Sequence, residues 1–228
     1  MVNLQNLDLN AVLYTVGLAL VPALFGIICH EIAHGFAAYK LGDPSAKHLG
    51  RLTFRPGPHI DPMGLGMFVF TAIFTSPFVI GWAKPVPVNP NYFKYPRQGM
   101  MLVSVAGPLT NFLVAIFFAL IAKLIINLSV AGISSPVQTF ILQSAIYGVR
   151  INCALAWFNL MPIPPLDGSH IVAGLLPRPL AQAYSSIGRY GMLILILLIG
   201  FGAINTVLVP LLRFSARLIF NLVGLPVA

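Results

Sequence analysis

Apolar side chains dominate four long stretches of this chain, at residues 11–29, 102–127, 137–161 and 192–212. Each is about the 17 to 25 residues that an α-helix needs to cross the hydrocarbon core of a bilayer. The first is predicted to continue as one helix over 11–41, because "KLGD" puts Gly42 where helices commonly stop. Further helices are expected at about 99–128 and 136–160. After "MPIPPLDG" come a short helix from about Ser169, a long one near 187–209, and an amphipathic tail carrying Arg213 and Arg217.

The segments between the first two long helices read differently. "PSAKHLGRLTFRPGPHIDPMG" is basic and punctuated by Pro and Gly, with strand-like patches around 51–54. Residues 66–82 are apolar again but interrupted by Pro77. "AKPVPVNPNYFKYPRQG" follows, and prolines at that density exclude helix and favour edge strand or loop.

Composition fixes the solvent. The chain of 228 residues is 58% hydrophobic and 8% charged, with a mean hydropathy of +0.90, whereas soluble domains carry roughly 25% charged residues. The expectation is a single-domain, all-α polytopic membrane protein over residues 1–228, with a core at about 11–175 and C-terminal helices at about 187–224. It is a bundle of four to six transmembrane helices. Residues 1–10 carry no positive charge, so a cleaved signal peptide is not expected and helix one serves as an uncleaved anchor. The net charge of +8 is spread along loops and helix ends, which suits an anionic membrane leaflet and not a nucleic acid. Cys29 and Cys153 both lie in apolar runs and are expected as buried, inert thiols.

Loop charge orients the chain. No Lys or Arg precedes Lys40, whereas Lys47, Arg51 and Arg55 follow it, so the end of helix one faces the cytoplasm. Lys84, Lys94 and Arg97 belong on the same side. Residues 66–82 must then dip in and return, as a re-entrant segment broken near Pro77 and buried in protein would do. The helices at 99–128 and 136–160 go out and come back, which returns Asp167 to the cytoplasmic side, level with His30 and His34.

The chain has five acidic residues. Asp8 falls in the N-cap region of helix one, and Asp43 and Asp61 lie in the Gly/Pro-rich loop. Glu31 and Asp167 each sit beside a hydrophobic run, where an ionisable group points to function. "HEIAH" places His30 and His34 at i and i+4, on one face of a helix, so both imidazoles can ligate one metal ion. Glu31, about a hundred degrees around that helix, is placed to deprotonate a water. A hydrolytic zinc site takes three protein ligands, and the candidates for the third are Asp167, His170, His48 and His59. Asp167 stands out because the prolines before it and Gly168 after it form a helix-breaking turn; its other reading is an N-cap for the following helix.

"HEIAH" in a membrane helix, "GPLTN" and then "NLMPIPPLDG" occur in the order in which the chain resembles the site-2 protease family of intramembrane metalloproteases, peptidase family M50, and its short bacterial-type members without a PDZ domain. "GRLTF", "HIDPMG" and "GWAKPVPVNP" resemble those members' intervening segments. The resemblance implies one zinc ion per chain bound by His30, His34 and Asp167, with Glu31 as general base. It implies that Asn159 helps hold the substrate backbone or oxyanion, a residue otherwise readable as a helix C-terminal hydrogen-bonding group. Gly107–Asn111 is expected to pack the second core helix closely against its neighbours. Residues 84–90 resemble a strand of a small membrane-associated β-sheet whose edge pairs with an unwound substrate. The implied activity is cleavage of a peptide bond in or near a transmembrane segment of a membrane-protein substrate, in a prokaryotic plasma membrane with the site toward the cytoplasm. The competing functions are a membrane metal transporter or channel, and a scaffold that binds metal without catalysis.

Overall fold

The helices form where the apolar runs predict them, and their ends fall at prolines and glycines. The computed structural model describes residues 9–74, 81–130 and 135–225. Its helices are α1 (Leu9–Lys40), α2 (Ser45–His48), α3 (Pro62–Phe74), α4 (Pro96–Val130), α5 (Pro136–Asn159), α6 (Asp167–Leu175), α7 (Arg178–Ser186), α8 (Gly191–Gly200) and α9 (Ala203–Leu222). Asp8 and Pro77 lie outside the described residues.

Among the described residues four segments are long and apolar enough to cross a membrane: Leu13–Lys40, Pro96–Ser129, Arg178–Gly200 and Ala203–Leu222. The expected crossing at 137–161 forms α5, of 24 residues. It is not among the four, because Gln138, Gln143, Arg150, Asn152 and Asn159 dilute its apolar character. The single helix expected near 187–209 is broken. Gly202 adopts a left-handed φ of 70°, which ends α8 and turns the chain into α9. Leu195 of α8 and Ile204 of α9 pack together on Leu166.

Helices α1, α4 and α5 form the centre. His30 and His34 of α1 contact Asn111 and Val103 of α4, so these two helices run antiparallel. Gly148 of α5 lies against Phe118 of α4, and Asn152 of α5 bonds Asn111, which makes that pair antiparallel too. Helix α9 closes the group through Ala216, Ile219 and Phe220. Ala115, Ala119 and Ala122 of α4 are fully buried, while Leu109, Leu113, Phe117 and Leu120 of the same helix are exposed. Small residues inside and large apolar ones outside is the arrangement of helices that pack in lipid, where close backbone approach replaces the hydrophobic drive.

The expected β-sheet is a correction. Among the described residues there is no strand, neither at 51–54 nor at 84–90, only an isolated antiparallel bridge between Ile60 and Ala83. Pro85, Pro87 and Pro90 have no N–H to give to a ladder. Three of the other donors point to other partners: Lys84 N–H to the His59 carbonyl (2.9 Å), Val86 N–H to Glu31 Oε2 (2.7 Å) and Asn89 N–H to Asp43 Oδ2 (2.6 Å). Asp43 also accepts from Ser45 N–H, at 2.9 Å. Burial pushes its carboxyl pKa up, but the Asn89 and Ser45 hydrogen bonds outweigh that and hold it below the ordinary value.

The described residues at the two ends of the 66–82 segment lie against each other. Ala83 pairs with Ile60, the Trp82 carbonyl packs on Gly64 at the start of α3, and Gly81 lies beside Phe68.

Candidate metal centre

The i, i+4 spacing in α1 puts both imidazoles on one face, and the turn after α5 brings a carboxylate to them. His30 Nε2 and His34 Nε2 are 2.9 Å apart, and Asp167 Oδ2 stands 3.2 Å from the first and 3.3 Å from the second. These three residues are the group of potential metal ligands found among the described residues. Asp167 is the first residue of α6, with Leu166 at the N-cap, so the N-cap reading of Asp167 is set aside. Its position is fixed by Gly168, where any Cβ would collide with the Leu160 and Met161 carbonyls at the end of α5. The other candidates lie elsewhere. His48 is exposed at the end of α2, and His170 is exposed beside Arg97 and Arg178 at a surface cleft. His59 is buried and bonds the Thr53 carbonyl through Nε2, at 2.8 Å.

The donor set fits a divalent cation on four observations. Val103 O can only accept, so His34 Nδ1 carries the hydrogen of their 2.8 Å bond, and the neutral ring presents a lone pair at Nε2. That lone pair faces the second imidazole and a carboxylate oxygen, an arrangement that a shared cation satisfies. Asp167 Oδ2 is buried with no hydrogen-bond partner. Nitrogen and oxygen ligands about 2.0–2.2 Å from a tetrahedral zinc stand roughly 3.3–3.6 Å apart, close to the 3.2 and 3.3 Å from Asp167 to the imidazoles, while the two imidazole nitrogens, at 2.9 Å, would have to part slightly. Gly107 on α4 leaves room for the imidazoles: a Cβ there would sit 2.5 Å from His30 Cε1 and 2.6 Å from His34 Nε2. Gly107→Ala is therefore expected to displace both rings, costing about 1–3 kcal/mol of stability and most of the bound metal. Thermal unfolding and metal content of the purified variant check this, and a wild-type metal content would contradict it.

Glu31 is half-buried, and its Oε2 accepts the Val86 N–H. Asn159 ends α5 with its Nδ2 bonded to the Leu155 carbonyl at 2.9 Å, the helix C-terminal hydrogen bond of the plainer reading. The sequence pattern reads Asn111 as packing and singles out neither Asn152 nor Val86. Asn111 is fully buried and lies 2.6 Å from His30 Nδ1. A signal for it was present: Gly107 and Asn111 are four apart, so they share a face of α4. For Val86 the signal is "PVP", which leaves one N–H in three residues.

Comparison with known proteins finds relatives named as zinc metalloproteases. A family model described as peptidase family M50 matches residues 123–199, a range that includes Asp167 but not the two histidines. A Bacillus subtilis (strain 168) protein named "Putative zinc metalloprotease YwhC" is 36% identical over 196 residues, 85% of this chain and 84% of the relative. The Mycolicibacterium smegmatis protein named "Putative zinc metalloprotease Rip2" is 28% identical over 183 residues, 80% of this chain and 66% of its own. A Methanocaldococcus jannaschii protein, "Putative zinc metalloprotease MJ0611", is 29% identical over 155 residues, 68% and 69% of the two chains. No solved structure matches. With the first of these relatives aligned along most of both chains, this chain belongs to peptidase family M50.

Proposed function

We propose that this protein is a zinc-dependent endopeptidase that hydrolyses a peptide bond within or near a transmembrane segment of membrane-protein substrates. The observation that carries the reading is the convergence of His30 Nε2, His34 Nε2 and Asp167 Oδ2 inside a bundle whose outer face is apolar. Two histidines and a carboxylate are a hydrolytic zinc set. These three residues would hold one zinc ion per chain, and the chemistry it would supply there is Lewis acidity toward a carbonyl and a water.

The chain's own groups do the rest. Glu31 follows His30 directly, and its carboxylate takes a proton from the attacking water and gives it to the leaving amine. Val86 N–H holds that carboxylate through Oε2. Asn159 is proposed to turn from Leu155 toward the substrate's backbone or oxyanion. The substrate is a transmembrane helix, which unwinds locally before its scissile carbonyl is free of its own hydrogen bond. Loop charge supports a site toward the cytoplasm, and the resemblance to short bacterial-type members supports a prokaryotic plasma membrane.

The test is metal content and cleavage of a model transmembrane peptide by detergent-purified wild type. Zinc without hydrolysis would leave the metal-binding scaffold or transporter standing in place of the protease. One variant probes the Glu31 contact alone. Val86 already lies between two prolines, so Val86→Pro deletes its N–H in a stretch that is extended anyway. Hydrogen bonds to charged groups are worth about 1.5–3 kcal/mol, so kcat is expected to fall about tenfold or more with zinc retained. A rise in kcat would show that the amide restrains Glu31 and does not position it.

A further inference from the structure

We infer that Asn111 and Asn152 form a relay that fixes the ring and tautomer of His30 for metal capture, which makes them positioning residues for the proposed zinc. The inference rests on the metal reading of His30, His34 and Asp167. Both asparagines are fully buried inside long helices, where a polar amide is costly unless it is hydrogen-bonded.

The direction of each hydrogen bond follows from groups that can act in only one way. Asn152 Nδ2 lies 2.9 Å from the Gly148 carbonyl, which only accepts, so the Asn152 oxygen points the other way. That oxygen is 3.0 Å from Asn111 Nδ2, and the same nitrogen is 3.1 Å from the Gly26 carbonyl. Two acceptors, the Gly26 carbonyl and Asn152 Oδ1, thus fix the Asn111 amide nitrogen and leave its oxygen toward His30. Asn111 Oδ1 then accepts at 2.6 Å from His30 Nδ1, which must carry the hydrogen. The neutral ring is left with its lone pair on Nε2, the atom that faces His34 and Asp167. With the tautomer of His34 set by Val103 O, both ligand rings are fixed before metal arrives.

The relay also explains a glycine. Gly26 sits one turn before His30 on α1, and a Cβ there would overlap Asn152 Oδ1. Its absence lets α5 approach until Asn152 reaches Asn111. Removing the outer partner of a ligating histidine typically weakens metal binding about tenfold to a hundredfold.

The experiment is the zinc dissociation constant, by competition with a chromophoric chelator, for detergent-purified wild type, four single variants and the Asn111→Leu/Asn152→Leu double variant. Asn111→Leu keeps the size and removes the acceptor, and its Kd is expected to rise about tenfold to a hundredfold. Asn111→Asp keeps an acceptor opposite His30 Nδ1 and is expected to bind more tightly than Asn111→Leu. Asn152→Leu is expected to weaken binding alone but add nothing to Asn111→Leu, since both act through one chain of bonds. Gly26→Ala raises helix propensity yet is expected to weaken zinc binding. It carries the test with Asn152→Leu if Asn111→Leu does not fold. Wild type that takes up no zinc overturns the proposed function and the relay together. Wild-type binding with an unchanged Kd in Asn111→Leu, or in both Gly26→Ala and Asn152→Leu, overturns the relay alone.

Discussion

Purified Asp167→Ala protein is expected to carry only background zinc where the proposed function gives wild type one ion per chain, and to lose peptide hydrolysis with it. Asp167 supplies one of three converging donors, and no other carboxylate among the described residues joins the group. A neighbour cannot take its place, because Gly168 clamps this turn against the Leu160 and Met161 carbonyls. A structural zinc site is worth about 10–16 kcal/mol over four ligands, or roughly 3 kcal/mol per ligand. Losing one therefore weakens binding on the order of a hundredfold. The substitution leaves helix formation intact, since Asp167 begins α6 and the N-cap is Leu166. Elemental analysis after gel filtration in detergent, beside the melting curve of the same sample, measures the effect. Zinc retained at the wild-type level by a folded Asp167→Ala sample would remove the carboxylate from the ligand set.

This ligand is also the part of the site that was hardest to reach from sequence. The pair His30 and His34 is local: the periodicity of one helix suffices to bring the rings together. Asp167 lies far along the chain, and it was placed by counting membrane passages from loop charge. The structure brings it to the histidines, although α5, one of the helices in that count, is too polar to rank among the candidate spans. Its polarity has a reason. Asn152 is there to bond Asn111, so part of what makes α5 look unlike a membrane helix is its share of the site.

Other features escaped because tertiary partners decided them. Gly107 and Asn111 looked like packing residues, and Gly107 does allow close approach, but what approaches is the pair of imidazoles. Residues 84–90 have the composition of an edge strand. Whether an extended segment joins a sheet depends on where its few N–H groups find acceptors, and here they find Glu31, Asp43 and the His59 carbonyl. The break between α8 and α9 rests on Gly202 taking a left-handed φ, in a stretch that an apolar pattern alone reads as continuous.

Glu31→Gln separates binding from chemistry, and its expected result is unchanged zinc with kcat lowered about 10²- to 10⁴-fold, the usual contribution of general acid–base catalysis. The glutamine keeps an oxygen of the same reach, so the 2.7 Å bond from Val86 N–H survives and the 83–89 segment stays in place. What disappears is the capacity to take a proton, because an amide oxygen is far too weak a base at neutral pH. His30, His34 and Asp167 are untouched, so metal content reports that the site remains assembled. Val86→Pro makes the complementary change, keeping the carboxylate while removing its holder, and is expected to cost less than Glu31→Gln. If Glu31→Gln turned over substrate at the wild-type rate, the proton would have to leave by another group and Glu31 would be reduced to an anchor for Val86. The order of the two effects on kcat, at constant zinc, therefore distinguishes a base that is positioned from a carboxylate that only ties a loop to α1.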